Sequence, residues 1–437
     1  MKPNPKFKIQ NTKLLPALAL ALFAGLAAPA ARAEVTVTNL TVAQRPGTKL
    51  VDITYDVANT ATPAVSVSLT VKNGATPIST SSLTGDVGAY VLTGTGRRIV
   101  WNGGADANGQ LLQNIEVAVN AVSAGTSYLV IDLSGGTTAT SYPVSYLSAV
   151  PVGGWTAVHK TTQLVLRRIP AGIFTMGRRS TDYPGATNDG LHQVTLTKDF
   201  YIGVFEVTQR QWELVMGNKP SYFSNATYYA TRPVETVSYY DIRENPANSD
   251  DPASDWPTNS TVNATSFMGK LRAKTGLASF DLPTESQWEY ACRAGTTTAL
   301  NSGVNLTSEH EDAAMAVVGR YYRNGGSSFT RTSTPSEGTA TVGSYLRNAW
   351  GLYDMHGNAL EWCLDWSGTY PGAVSDPVGV TSGSNRMLRG GGLGSGSGGF
   401  FAAGRCASAS RSAGAPSSRT AGSDPVGLRV CSAPPGQ

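Results

Sequence analysis

The sequence is poor in charge, cysteine and histidine. Asp, Glu, Lys and Arg make up 15 % of its 437 residues, against a usual ~25 %. The four histidines (His159, His192, His310, His356) are scattered, and the four cysteines show no Cys-x-x-Cys spacing, which argues against a zinc site. There is no Gly-x-Ser-x-Gly elbow and no Ser/His/Asp set, so hydrolase chemistry has no support. Gly394-x-Gly396-x-x-Gly399 matches the dinucleotide fingerprint only formally, because it lacks a βαβ context. The formal charge of +4 is no nucleic-acid footprint either. Residues 1–33 hold five of the 34 basic residues (Lys2, Lys6, Lys8, Lys13, Arg32) and none of the 30 acidic ones. The remainder carries 29 bases against 30 acids, with neither the net-basic face nor the basic runs that phosphate binding needs. After residue 33 no stretch is long and apolar enough to span a bilayer.

What is present begins with an export signal. Four lysines precede the apolar run Leu14 to Ala28, and Ala31-Arg32-Ala33 supplies a small-x-small cleavage site. The run is interrupted by Pro16 and falls short of the ~20 residues of a spanning helix. The expectation is a mature chain from Glu34 that is periplasmic, cell-surface or extracellular. Export permits disulfides. Cys292, Cys363, Cys406 and Cys431, an even number in one region, are read as structural, and spacing alone allows three pairings.

Hydrophobic residues are 41 % of the chain, enough for real cores, and the length suggests two or three domains. From Glu34 to about Ala124 the text alternates with a period of two. Val65, Val67, Leu69 and Val71 are separated by Ser66, Ser68 and Thr70, and Asn73-Gly74 follows as a turn signal. Leu50–Val57 and Ile115–Val122 repeat the theme. Short strands with regular punctuation predict an all-β Ig-like sandwich over 34–124. Within it, Trp101-Asn-Gly-Gly-Ala-Asp-Ala-Asn-Gly109 is either a long polar turn or a hairpin resembling that of flagellar-hook-cap-type Ig-like modules. Residues 125–160, rich in Gly, Ser and Thr, are a linker or the last strands of either neighbour.

The third region, 161–432, holds most of the tryptophans and all the cysteines. Two helices open with capping boxes: Thr208-Gln-Arg-Gln211 before Trp212, Val215 and Met216, and Thr284-Glu-Ser-Gln287 before Trp288, Ala291 and Cys292. Long Gly-rich stretches between such elements predict an α+β domain with low regular secondary structure.

Seven ordered blocks give this region a family. Ile169–Gly177, Phe205–Gln209, Arg232–Ser238, Leu282–Gly295, Trp350–Trp362, Arg389–Gly392 and Gly427–Arg429 resemble the formylglycine-generating-enzyme (sulfatase-modifying factor) family in sequence and order. The resemblance implies a C-type-lectin-like fold. Active members carry Gly-Gly-Ser-x-x-Cys-x-x-x-x-Cys, whose two soft thiolates hold Cu(I) while oxygen oxidises a substrate cysteine. Here Ser395 and Phe400 stand at the cysteine positions, Gly392 replaces the Ser, and Leu360 replaces a Trp. No copper is therefore expected.

The family's calcium loop, by contrast, is matched position by position. Carry-over assigns side-chain oxygens of Asp354 and Glu361 and carbonyls of Gly357 and Ala359, the hard donors that Ca²⁺ asks for. The resemblance also pairs Cys292 with Cys406, leaving Cys363 for Cys431. From Gly390 to Ser423 there are 10 Gly, 8 Ser and 7 Ala in 34 residues, a lining of small residues in which Ser395, Phe400 and Phe401 are candidate ligand contacts.

The expected protein is thus an exported, calcium-stabilised, non-catalytic scaffold or recognition protein for an unknown protein, peptide or glycan. The alternatives are an enzyme of the same family with a non-standard site, and a retroelement-diversified ligand-binding protein.

Overall fold

The computed structural model describes residues 13–14, 35–59, 64–74, 76–108, 110, 112, 114–123, 127–243, 262–326, 334–370, 372–393, 403–419 and 425–433. The leader's apolar run and cleavage motif, and also Ser395, Phe400 and Phe401, lie outside them. The chain divides into two compact units, Met1–Thr126 and Ser127–Gln437. Among the described residues, no helix is long and apolar enough to cross a membrane.

The first unit is two mainly antiparallel sheets that share one apolar cluster. One sheet has the order Val35–Gln44, Leu50–Asn59, Gly94–Asn102, Leu83–Gly85. In the other, Ala64–Asn73 lies between Ile115–Ser123 and Thr76–Ile78 and also pairs with Gly88–Leu92, while Lys13–Leu14 runs parallel to Glu116–Val117 at its edge. The alternation in the sequence explains the layering. Val65, Val67, Leu69 and Val71 are buried beside Val51, Ile53, Ile99 and Val117, while Ser68 is exposed. Asn73-Gly74 turns the chain, with Gly74 at φ +61° and Asn73 paired with Thr76. The polar stretch after Trp101 forms a helical turn, Gly103–Asp106, capped by the Asn102 side chain on the Ala105 amide. The buried Trp101 indole donates to Asp106 at 3.0 Å, which fixes that turn against the core.

The second unit is mixed α/β and mostly strand. Its six-stranded antiparallel sheet has the order Val144–Leu147, Tyr128–Asp132, Gln163–Ile169, Phe200–Gly203, Cys431–Ser432, Phe280–Asp281. Tyr128–Asp132 pairs along its whole length with Gln163–Arg167. The Gly/Ser/Thr-rich stretch thus contributes strands to this unit rather than a free linker. A four-stranded sheet, Ser412–Gly414, Arg386–Arg389, Leu360–Trp366, Val426–Gly427, brings Glu361 opposite both Arg389 and Gly427. Gly172–Arg178, Asp189–Leu196 and Val374–Ser375 form a third.

Both capping boxes form. Thr208 accepts from the Gln211 amide while the Gln211 side chain returns to the Thr208 amide, starting helix Gln209–Met216. Thr284 and Gln287 do the same for Glu285–Arg293. The first helix buries Trp212 and Val215, with Trp212 stacked on Phe267 at 5.2 Å, and stops at Gly217 in the left-handed region. The second is buried at every position.

Candidate functional site

The sequence blocks meet as buried ion pairs. Glu289 accepts from Arg293 at 2.8 Å and from the Gly177 amide at 2.9 Å, and it also pairs with Arg389. Three blocks far apart in sequence are thereby joined at one carboxylate. Burial alone would push Glu289 up, but Arg293 and Arg389 outweigh it and hold the group below its ordinary value. Glu206 accepts from the Asn358 side chain at 2.6 Å and the Ala359 amide at 2.9 Å. Glu235 accepts from the Tyr222 and Phe223 amides.

Glu361, on Leu360–Trp366, is bound on both oxygens. Arg429 donates through Nη2 at 2.7 Å and through Nε at 3.0 and 3.1 Å, and the Trp288 indole donates at 2.7 Å. Arg429 also donates to the carbonyls of Gly203 and Tyr353 at 2.8 and 3.0 Å. Nearby, Asp354 at φ +56° accepts from the Gly343 amide through Oδ2, while its buried Oδ1 has no hydrogen-bond partner. Burial raises Asp354 to about 6. It raises Glu206 too, aided by the negative charges of Asp354 and Glu361.

Against the calcium shell carried over from the family resemblance, these residues show features of both signs. Asp354 offers a free oxygen, and Gly357 holds the loop tight: at φ +86°, any Cβ there would collide with the Arg320 carbonyl. Glu361, however, is already neutralised by a guanidinium in direct contact, and a divalent cation at that carboxylate would face Arg429 at close range. Among the described residues, no group of three or more His, Cys, Asp or Glu side chains is arranged to hold a metal ion.

In the structure all four cysteines are free and buried. The Cys292 sulfur lies 3.6 Å from the Met355 carbonyl oxygen, 3.6 Å from the Ser408 hydroxyl and 3.8 Å from His356 Nε2. Cys363 and Cys431 sit in the apolar cluster of Ile169, Trp288 and Met387. Cys406 belongs to a separate cluster with Leu300 and Met315. Burial pushes the Cys292 and Cys406 thiols up to about 12 and the other two well above their ordinary value. His356 joins two of these segments, with Nδ1 2.7 Å from the Cys406 carbonyl oxygen and Nε2 accepting from the Asn301 amide. Burial lowers it to about 4, so it is neutral and structural.

At the family's catalytic position the structure describes the rim alone. Leu360 is half-buried, its amide donates to the Pro425 carbonyl at 2.8 Å, and a Cβ on Gly392 would touch that amide. Glu206, Trp288 and Arg429, which organise the region, were not among the expected site residues. Their signal was their place in the seven blocks.

A family model described as "Sulfatase-modifying factor enzyme 1-like domain" matches residues 156–434. The chain belongs to this formylglycine-generating-enzyme-like family, and the match lies within its second unit. "Chaperone protein LppX" of Paenibacillus barcinonensis is 32 % identical over 243 residues, covering 51 % of this chain and 78 % of the relative. The "Formylglycine-generating enzyme" of Mus musculus is 28 % identical over 252 residues, covering 51 % of this chain and 64 % of the enzyme. Among solved structures, "Treponema denticola variable protein 1" matches with a TM-score of 0.46 and 27 % identity, over 64 % of this chain and 98 % of that one.

Proposed function

We propose that this chain is an exported, non-catalytic member of its family that recognises protein partners. The observation that carries the reading is the state of the thiols. The thiolate is the nucleophile and the copper ligand, and all four thiols are buried with their ionisation suppressed. Ser395 and Phe400 replace the family's pair, so no copper site is assigned. The relative named a chaperone supports protein recognition as the remaining role. The basic, apolar and small-x-small order of residues 1–33 supports export. The first unit, two sheets over one core, is read as an Ig-like module that spaces or binds.

The experiment is suppression of aggregation. A chemically unfolded exported hydrolase is diluted into buffer with and without the purified full chain, and light scattering is followed. Suppression near stoichiometric amounts is expected. Unchanged scattering, together with turnover of a cysteine peptide, would replace this reading with the enzymatic one.

A further inference from the structure

The first unit leaves one side of its two-sheet core without a closing strand. Apart from the leader, Ile115–Ser123 has a single sheet neighbour among the described residues, Ala64–Asn73. The Gly74 amide donates to the Asn114 carbonyl at 2.8 Å. Continued along the register, that alternation gives the backbone groups of Glu116, Ala118 and Asn120 to Ala64–Asn73. It turns those of Ile115, Val117, Val119 and Ala121 outward, to an open edge. Natural edges are blunted by short length, bulges, lysine or proline. This strand is 9 residues long and pairs without a register shift, and it contains no Lys, Arg or Pro, with Glu116 as its one charge.

The side chains on the same flank are also incompletely covered. Val35–Gln44, the edge strand of the other sheet, runs alongside Ile115–Ser123. Its inward row, Val35, Val37, Leu40 and Val42, packs on the core yet is only half-buried, as is Ala121 across the seam. On the next strand Val51, Ile53, Tyr55 and Val57 are at most 3 % exposed. Water satisfies the outward amides but leaves this apolar row wet. One more strand would pair the amides and cover the row together. An extended segment is in fact seated on the edge: Lys13 and Leu14 pair in parallel with Glu116 and Val117, and the expected cleavage after Ala33 would remove them. The seated segment is a short isolated strand, so the site suits an extended chain rather than the folded sheet of a second copy. Its inward residues must be apolar, because a charge there would be set against the half-buried valines.

We propose that, once the leader is gone, the Ile115–Ser123 edge takes up an extended segment of a partner polypeptide, apolar at alternate positions, by strand addition. This rests on the protein-recognition reading and gives it a surface. The probe is a fluorescein-labelled peptide of four Thr-Val repeats flanked by lysines, and the control replaces each Val with Pro. Both are titrated into the chain from Glu34 by anisotropy, with hydrogen exchange to locate the contact. Ala121→Pro removes an edge-facing N–H without touching the bonds to Ala64–Asn73, and Ala121→Lys sets a charge at the seam. Saturable binding of the Thr-Val peptide is expected, with slowed exchange across 115–123. Affinity should fall about tenfold or more for the Pro control and in each variant, with unfolding midpoints little changed. If Ala121→Pro fails to fold, Ala121→Lys decides. The proposal is overturned by absence of binding, by equal binding of the Pro control, by unchanged affinity in the folded variants, or by protection elsewhere. Self-association of the chain that Ala121→Lys abolishes would also overturn it, by placing a second copy on the edge. Aggregation suppression without peptide binding would overturn the edge and leave the recognition reading standing; peptide binding without suppression would support the edge and count against chaperone-like recognition.

Discussion

Replacing Glu361 with Gln probes the buried charge network where calcium was expected. In the folded protein this carboxylate takes three donor contacts from Arg429 and one from Trp288, and Arg429 and Glu361 are both essentially unexposed. The amide keeps the shape but removes the charge and turns an N–H toward existing donors. Arg429 retains its carbonyls at Gly203 and Tyr353, which soften the loss without replacing the counter-charge. Breaking a buried pair from one side costs about 3–5 kcal/mol, and that is the expected destabilisation of the second unit. Replacing both partners by apolar residues, Glu361→Leu with Arg429→Met, should recover much of it, because no unpaired charge remains. The assay is urea unfolding followed by tryptophan fluorescence, with chelator and with added calcium. The variant should lose stability equally in both. If Glu361→Gln matched wild type to within about 1 kcal/mol in chelator and differed only with calcium, Glu361 would be a metal ligand and this reasoning would fail.

Three other expectations follow from the same packing. Thiol titration of the native protein should find no rapidly reacting cysteine and four after denaturation without reductant; a count of zero or two would show that disulfides form. Asp365 is raised to about 7 by burial and then by the nearby Glu285 charge, against ~3.9 when unfolded. Its contribution to stability is therefore fully present below about pH 4 and lost as pH rises through 7. Asp365→Asn should remove this part of the decline and be the more pH-tolerant protein by roughly 2–4 kcal/mol between pH 4 and 8, read from urea midpoints; parallel curves would refute it. Thr284→Ala deletes the acceptor for the Gln287 amide and should cost about 1–2 kcal/mol, whereas Thr284→Ser should cost far less in the same melts.

The local features were legible because their causes are local. The alternation at Val65–Val71, the turn at Asn73-Gly74 and the two capping boxes each lie within a few residues, and each forms. The family blocks were legible as a pattern, but not for what they do. Glu361 is 68 residues from Arg429 and 73 from Trp288, and no spacing rule reveals that the carboxylate is already bound. The calcium expectation took no account of that hidden partner. Cysteine neighbourhoods were equally hidden: Cys292 lies beside Ser408 and His356 and Cys406 in another apolar cluster, while Cys363 and Cys431 share one. His192 was read as one of four scattered histidines. Its ring packs on that of Tyr370, 4.6 Å between centroids, on a strand, Asp189–Leu196, that pairs in parallel with Val374–Ser375, a contact that pattern reasoning does not supply.

The central claim, that this family member has no formylglycine-generating activity, is tested most directly by mass spectrometry of a sulfatase-type cysteine peptide incubated with the purified chain, oxygen and reductant, with and without copper. The account predicts intact cysteine in every condition, at the level of a no-protein control. Formylglycine above that control, dependent on the chain, would contradict it.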